Sequence, residues 1–480
     1  MKQPPLVVDL DGTLLYTDTL YESLMIVIKR KAIALILLPF WLLRGRAYVK
    51  KKISAIGVPN SSLLPYNWEF ITWLKEQRNS GRELILCSAA DQRIVDSVAK
   101  HLGLFDQCMS SDGVTNLKGS VKADALLSKF SESGFSYAGD SRPDLKVWQV
   151  ARSAVVVSSS KTLMRSASLI CPIERQFKRD IKPAATAVKL IRAHQWAKNL
   201  LVFVPAIASH QIAHLEVIFT LTVAFLSFSL CSSSVYVTND LLDLEHDRRH
   251  PRKRNRPLAS GKLSLLFAGA LAPTLLGISW LIALSVSKDF AFVLATYYAV
   301  SCAYSFILKR LVLLDCLVLA SLYTLRVIAG AAAISINTSF WLLTFSVFLF
   351  LSLAFVKRFV ELQELSETKK GNVLSGRNYS IEDKALIQTL GVTSGFLSTL
   401  VLALYIDSTA SGELYSLPEM VWGAVGIVLF WINWIWLKAN RKEMHDDPVV
   451  FAITDTVSLV CGITFGIVVL LGITGFPPWS

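Results

Sequence analysis

Long apolar runs and short polar segments alternate along the second half of the chain. Before residue 190 the apolar runs are short and separated by charged residues, as in an α/β domain. After it we count nine runs of roughly helix-spanning length, of which the first is short and contains Pro205. They lie at about 199–209, 215–238, 263–285, 290–307, 311–333, 339–356, 385–406, 419–437 and 450–474. The pattern predicts an N-terminal α/β domain followed by an all-α bundle of nine transmembrane helices.

Basic residues are unevenly distributed between the predicted loops. If residue 190 is cytoplasmic, the cytoplasmic loops hold eighteen Lys and Arg, whereas the opposite loops and the tail hold only Lys288. The positive-inside rule predicts this asymmetry for nine spans. We therefore expect a multi-pass protein of the cell (inner) membrane with its N-terminal domain in the cytoplasm. The net charge of +13 then requires no nucleic-acid partner, and seven scattered cysteines indicate neither disulfides nor zinc.

Two aspartates follow the first apolar strand of the N-terminal domain. In PLVVDLDGTLL, Asp9 and Asp11 stand where a buried strand ends, the edge at which parallel sheets bind ligands. Two carboxylates at this position can act as a nucleophile and a general acid/base, or can bind one magnesium ion together. A polar turn after a strand is the alternative.

Three further segments, in order, extend this pattern. A second strand ends in Ser88, Lys122 begins a helix, and a third strand ends in Asp140 with Asp144 one turn later. Together the four segments resemble the haloacid dehalogenase superfamily over roughly residues 5–160. The resemblance implies that Asp9 is a nucleophile that forms an aspartyl-phosphate and Asp11 the general acid/base. It further implies that Ser88 and Lys122 bind the phosphoryl group, and that Asp9, Asp11 and Asp140, supported by Asp144, hold Mg²⁺.

We place this phosphatase-like domain at 1–165, with a cap insertion at about 19–64, a linker at 166–190 and the membrane domain at 191–480. Within the cap, AIALILLPFWLL has 12 apolar residues, too few to span a bilayer, between KRK and RGR. It is either a buried cap helix or a helix lying in the membrane interface.

The stretch NDLLDLEHD directly follows the second apolar segment. Asn239, Asp243 and Asp247 are spaced by four residues and therefore share one helix face. Carboxylates at a bilayer edge should face a polar cavity, and oxygen ligands of this kind suit Mg²⁺ completed by substrate phosphates. A solvated helix extension is the alternative.

These residues, in a domain of this kind, resemble the first aspartate motif of the UbiA prenyltransferase superfamily over about 185–475. In that family the motif binds a diphosphate through magnesium. The resemblance makes Asp243 and Asp247 catalytic and, with Asn239, metal ligands. Most members carry a second DxxxD motif after the sixth span, whereas this chain has Lys357 and Arg358 there. This departure argues against a prenyl diphosphate held by two magnesium clusters, and favours phosphate held directly by cations.

Several stretches resemble a narrower branch, the polyprenyl-phosphate phosphoribosyltransferases. Among them are HQWAKNLLVF, YSFILKRLVLLD and YTLRVIAGA. The resemblance implies transfer of 5-phosphoribose from phosphoribosyl diphosphate to a polyprenyl phosphate. The substrate-binding candidates are Lys198, Tyr236, Lys253, Lys309, Arg326 and Lys357. Arg326 is the strongest candidate of these, because it lies inside an apolar segment. Lys198 could instead extend its side chain to the membrane interface from a helix end, and Lys309 could be a basic residue that only sets the membrane topology.

The presence of both domains on one chain suggests a second reaction after the transfer. A linker of some 25 residues would keep the phosphatase domain close to the lipid product, from which it would remove the 5-phosphate. Two alternatives stay open: an aromatic prenyltransferase that uses a prenyl diphosphate, and a transporter or lipid-binding membrane protein without enzymatic activity. Isoprenoid length and oligomeric state are not predicted.

Overall fold

The computed structural model describes residues 3–130, 134–179, 183–368, 372–374, 376–444 and 447–474. The chain forms two compact units. The first comprises Met1–Ile191 and Tyr236–Ala272, and the second comprises Arg192–Val235 and Pro273–Ser480.

A six-stranded parallel sheet forms the centre of the first unit. Its spatial order is β3-β2-β1-β4-β5-β6. The strands are β1 (Leu6–Val8), β2 (Leu84–Asp91), β3 (Gln107–Ser111), β4 (Ser136–Gly139), β5 (Ser153–Val157) and β6 (Ile173–Phe177). The predicted α/β domain is confirmed. The strand order reverses direction at β1, and a crevice at the carboxyl ends of the strands is expected there.

Eight helices in the described part of this domain lie between its strands in the sequence, and a ninth follows the last strand. They are α1 (Thr19–Lys31), α2 (Leu38–Leu43), α3 (Arg46–Ile56), α4 (Trp68–Asn79), α5 (Gln92–Leu102), α6 (Ser120–Lys129), α7 (Leu145–Trp148), α8 (Lys161–Ser168) and α9 (Pro183–Leu190). The predicted cap region, between β1 and β2, contains α1 to α3 with short 3₁₀ helices at Ala32–Leu37 and Ser61–Leu63.

The segment that we predicted as a linker, 166–190, contains regular secondary structure in its described parts, 166–179 and 183–190. It contains β6, which pairs with β5 from Ala154 to Val157, as well as α9. Phe177 at the end of β6 is 2% exposed and packs edge-on against Phe70. The sequence IERQF offers only two apolar residues, which is why the pattern resembled a linker.

The remaining helices are α10 (Val204–Ala208), α11 (Leu215–Leu242), α12 (Leu244–Arg249), α13 (Leu265–Val286), α14 (Lys288–Phe306), α15 (Leu314–Ala333), α16 (Phe340–Thr368), α17 (Lys384–Ile406), α18 (Thr409–Leu414), α19 (Pro418–Asn440), α20 (Pro448–Thr454) and α21 (Thr456–Thr474). Across the described ranges, seven have the length and composition to cross a membrane, namely α11, α13, α15, α16, α17, α19 and α21. The predicted segment at 199–209 is instead a 3₁₀ helix, Ala193–Phe203, followed by α10. The helical membrane bundle is confirmed, and the count of nine spans stays a prediction.

The polar segment after α11 packs with the N-terminal domain, which differs from the predicted division near residue 190. Glu22 of α1 accepts two hydrogen bonds from Arg248 of α12, at 2.9 and 2.6 Å, with both side chains buried. The guanidinium of Arg179 lies 4.3 Å from the ring centroid of Tyr16 and donates to the carbonyl of Gly261. These contacts join 236–272 to the α/β domain in one compact unit.

Candidate active sites

The predicted phosphatase residues meet at the carboxyl ends of three adjacent strands. Asp9 directly follows β1 and Asp140 directly follows β4, as predicted. The predicted strand end at Ser88 is wrong, because β2 continues for three residues beyond it, to Asp91. Val8 is in register with Leu86 on one side and Ala138 on the other, so the three polar residues stand at similar heights. The sheet therefore brings together residues that lie far apart in sequence.

Lys122 provides the main electrostatic contact of this site. Its Nζ donates to Asp9 Oδ1 at 2.7 Å and to the Tyr137 hydroxyl at 2.9 Å. Tyr137 in turn donates to Asp144 Oδ1 at 2.8 Å. Burial opposes the charge on Lys122, but Asp9 and Asp144 outweigh it, so the pKa of this lysine is raised. The motifs did not identify Tyr137, although the strand FSYAGD that carries it was recognised.

Burial shapes the acidity of the carboxylates. It raises the pKa of Asp11 to about 8, with Asp18 adding repulsion. Asp11 Oδ1 also accepts a hydrogen bond from the backbone N–H of Thr19 at 2.8 Å. Burial likewise raises the pKa of Asp140 well above its ordinary value, reinforced by the neighbouring Asp144 and Asp9. A largely protonated Asp11 at neutral pH suits a general acid.

The donor set fits a divalent cation. Asp9, Asp140 and Asp144 offer carboxylate oxygens within 4.8 Å of one another, the one such group of three acidic, His or Cys ligands in the described part of the chain. Asp144 Oδ2 is already engaged by the backbone N–H of Asp140 and by Ser141. Asp9 and Asp140 are therefore the suitable ligands, with Asp144 in a supporting position. Oxygen ligands of this type match Mg²⁺.

The acidic motif keeps its helical spacing beyond the end of α11. The backbone N–H of Asp243 donates to the carbonyl of Asn239 at 2.9 Å, and that of Asp247 to the carbonyl of Asp243 at 2.8 Å. Asn239 and Asp243 are half-buried, and Asp247 is buried. Nζ of Lys29, in α1, lies 3.8 Å from Asp243 Oδ1.

Arg256 joins the acidic residues of this segment. Its Nη1 donates to Asp247 Oδ2 at 2.7 Å and to Asp240 Oδ1 at 3.1 Å. Asp240 is 3% exposed, and neither Asp240 nor Arg256 is among the site residues predicted from the sequence. The available signal was an arginine close after a row of acids. The ion pair neutralises part of the charge that Asp247 would otherwise present to a metal.

In the second unit, two of the predicted lysines meet on one carboxylate. Lys198 Nζ lies 2.7 Å and Lys357 Nζ 2.8 Å from Asp447 Oδ2, and the Tyr323 hydroxyl donates to Asp447 Oδ1 at 3.3 Å. Burial works against the charge of Asp447, but the two lysines hold its pKa well below the usual range. We call Lys198, Lys357, Asp447 and Tyr323 the lysine cluster.

Arg326 packs beside the lysine cluster. Its guanidinium carbon lies 5.4 Å from the centroid of the Tyr323 ring. The guanidinium donates to Asn199 Oδ1 at 2.9 Å, to the carbonyl of Leu322 at 2.5 Å and to the Tyr297 hydroxyl at 3.1 Å. Arg326 is 4% exposed, as the expectation of a buried intramembrane cation requires.

Arg358, next to Lys357, faces a different environment. It is fully buried, donates to Asp315 Oδ2 at 2.5 Å and pairs with Glu361. Its contacts are therefore those of a structural ion pair, and only Lys357 of the two reaches the lysine cluster. The remaining candidates are half-buried: Tyr236 lies in α11, Lys253 in the 3₁₀ helix Lys253–Asn255 and Lys309 in the 3₁₀ helix Leu308–Arg310.

Comparison with known proteins identifies a family and several relatives. The family model described as the UbiA prenyltransferase family matches residues 200–455. The protein y4nM of Sinorhizobium fredii is 36% identical over 465 residues, which cover 95% of this chain and 89% of that protein. Nodulation protein NoeC of Azorhizobium caulinodans is 35% identical over 294 residues, covering 60% of this chain and 94% of that protein. Decaprenyl-phosphate phosphoribosyltransferase of Mycolicibacterium smegmatis is 34% identical over 253 residues, covering 51% and 78%.

Proposed function

The chain belongs to the UbiA prenyltransferase family, and from that premise we propose that it transfers 5-phosphoribose from phosphoribosyl diphosphate to a polyprenyl phosphate. The observation that carries the proposal is the lysine cluster, in which Lys198 and Lys357 converge on Asp447. A donor with a 5-phosphate in addition to its leaving diphosphate requires such cations, whereas a prenyl diphosphate has no phosphate group besides the leaving diphosphate. The name of the mycobacterial relative supports the same substrate class.

In the proposed transfer, an oxygen of the lipid phosphate attacks the anomeric carbon of the ribose. The bond from that carbon to the diphosphate oxygen breaks, and pyrophosphate leaves. The attacking phosphate is already ionised, so no strong base is needed. Asn239, Asp243 and Asp247 would hold Mg²⁺, which neutralises the leaving diphosphate when bound.

The cationic side chains would bind and orient the donor. Lys198, Lys357 and Arg326 would bind the 5-phosphate, for which Asp447 acts as a competing internal anion. Lys253, Lys309 and Tyr236 would make further contacts to the donor. Catalysis would then consist mainly of positioning and of stabilising the leaving group.

We further propose that the N-terminal domain removes the 5-phosphate from the lipid-linked product. A carboxylate oxygen of Asp9 attacks the phosphorus, the bond from phosphorus to the ribose 5-oxygen breaks, and Asp11 gives its proton to that oxygen. Water, deprotonated by Asp11, then attacks the phosphorus and releases phosphate, which restores Asp9. Ser88 and Lys122 would hold the phosphoryl oxygens, and Asp9 and Asp140 would bind Mg²⁺. Asp11, which the sequence predicted as a further ligand, lies outside the group of carboxylates within 4.8 Å of one another and would keep the acid/base role. Both domains would work at the cytoplasmic face of the cell (inner) membrane.

The test uses the full chain in nanodiscs with a polyprenyl phosphate, Mg²⁺ and phosphoribosyl diphosphate labelled in the ribose. We expect labelled lipid from the native chain and none from Asp243→Asn, with Asp289→Asn, at an exposed position in α14, as the matched control. Asp9→Asn should form the labelled lipid without releasing phosphate from it. Transfer of a prenyl group to an aromatic acceptor would instead establish the alternative reaction.

A further inference from the structure

The cap of the N-terminal domain exposes a dense group of apolar side chains. Six large hydrophobic residues between positions 33 and 43 are at least 48% exposed: Ile33, Ile36, Leu37, Phe40, Leu42 and Leu43. We call these six the cap patch. Elsewhere in the described residues up to 179, large hydrophobic residues are exposed singly, at Val58, Trp68, Val114, Val121, Leu127 and Leu169. A contiguous exposed patch of this kind marks an interaction surface.

The opposite face of the same segment already fills the core of the cap. Ala34, Leu35, Leu38 and Trp41 pack against a buried group formed by Val27, Val49 and Ile53. The segment is therefore two-sided: one face packs on α1 and α3, and the cap patch points away from them. The fold of the cap does not need the cap patch for its own packing.

Basic residues border the cap patch on both sides. Lys29, Arg30 and Lys31 precede it, Arg44 and Arg46 follow it, and all five are exposed. Cations around an apolar centre are complementary to anionic headgroups around acyl chains. With 12 apolar residues, the segment is too short to cross a bilayer and long enough to lie along one.

The cap also contacts the C-terminal end of α11. Nζ of Lys29, at the end of α1, donates to the carbonyl of Leu242 at 3.3 Å. Leu242 is the last residue of α11, one of the helices long and apolar enough to cross a membrane. Leu242 belongs to the same compact unit as the cap, so this contact joins α1, four residues before the cap patch begins, to the end of α11 within that unit.

From these observations we infer that the cap patch docks into the interface of an anionic bilayer, with its basic borders on the headgroups. The cap would then be a second, peripheral membrane contact of the chain. The inference holds whichever group the membrane domain transfers, because it uses no residue of either proposed active site.

The experiment compares two exposed aromatic positions in the full chain. Phe40 is 63% exposed inside the cap patch, and Trp68 is 61% exposed outside it. Each is replaced in turn by the photo-crosslinking residue p-benzoylphenylalanine, and the chain is reconstituted in nanodiscs of phosphatidylcholine with phosphatidylglycerol. After irradiation, mass spectrometry identifies the adducts. We expect lipid adducts at position 40 at least tenfold above those at position 68.

The charge requirement is tested with the same crosslinker at position 40. We expect the lipid adducts to fall several-fold in nanodiscs of phosphatidylcholine alone, and also when Arg44→Gln and Arg46→Gln are combined. Unchanged yields in both would overturn the role of the anionic lipid. Lipid adducts at position 40 no higher than at position 68 would overturn the docking itself. Adducts to a second copy of the chain or to another protein would do the same, since they would show that protein covers the patch.

Discussion

Replacing Arg358 by leucine is expected to lower the free energy of unfolding of the membrane bundle, because Arg358 forms a buried ion pair and not a contact to substrate. Arg358 and Asp315 both have fully buried side chains and are joined at 2.5 Å. Removing one partner of a buried pair typically costs about 3–5 kcal/mol, because the remaining charge loses its counterion. Tyr379 still donates to Asp315 Oδ1 at 2.5 Å, so we expect the lower end of this range, about 3 kcal/mol.

A second substitution tests the cause of that loss. Arg358 Nε has no hydrogen-bond partner among the described residues, so the pair itself is imperfectly satisfied. Combining Arg358→Leu with Asp315→Leu removes both charges, and we expect it to recover about 2 kcal/mol of the loss. The assay is equilibrium unfolding in detergent, followed by tryptophan fluorescence.

The neighbouring residue provides the matched control. Lys357 keeps 32% of its side chain exposed, and Asp447 retains Lys198 when Lys357 is changed. Lys357→Met should therefore cost only about 1 kcal/mol of stability while impairing transfer. If Arg358→Leu unfolds at the same denaturant concentration as the native chain but fails to bind the donor, Arg358 binds phosphate and the reasoning from its ion pair is wrong.

Three further predictions concern the two units. Lys357→Met should raise KM for phosphoribosyl diphosphate about tenfold or more in initial-rate assays, because a hydrogen bond to a charged group contributes about 1.5–3 kcal/mol. An unchanged KM would show that Lys357 does not bind the donor. Gly12→Ala should abolish phosphate release in the product assay but leave phosphoribosyl transfer unchanged. Gly12 has a φ of +81°, and an added Cβ would clash with the Asp140 carboxylate. Normal phosphate release would contradict this prediction. Glu22→Gln should lower the free energy of unfolding of the first unit by about 3 kcal/mol, because it breaks the buried ion pair with Arg248. Hydrogen exchange measures this loss, and the control Glu69→Gln, at an exposed position, should not show it.

The parts that were predictable from sequence are those with local patterns. Asp9 and Asp140 follow the apolar strands β1 and β4, and Ser88 follows the apolar run LILC within β2. A parallel sheet brings such positions to one edge. The contact of Lys122 with Asp9 spans 113 residues, and only the resemblance to a known family suggested it. Asp447 was missed because in MHDDPVV it resembles an ordinary helix cap before Pro448, and its Oδ1 does accept a hydrogen bond from the backbone N–H of Val449 at 3.2 Å as the cap of α20. Its role depends on two lysines distant in sequence, which no local pattern records.

The revised place of residues 166–190 changes the argument for coupling between the two proposed reactions. A flexible linker of about 25 residues would have a root-mean-square end-to-end distance of roughly 25–30 Å. It would couple the two reactions only by raising the local concentration of the phosphatase domain near the lipid product. The segment instead contains β6 and α9, and the α/β domain is attached to the acidic motif by direct contacts. Glu22 binds Arg248 one residue beyond Asp247, and Lys29 lies 3.8 Å from Asp243. The cap and the acidic motif are thus held in one compact unit by direct contacts, so the coupling does not depend on a flexible linker.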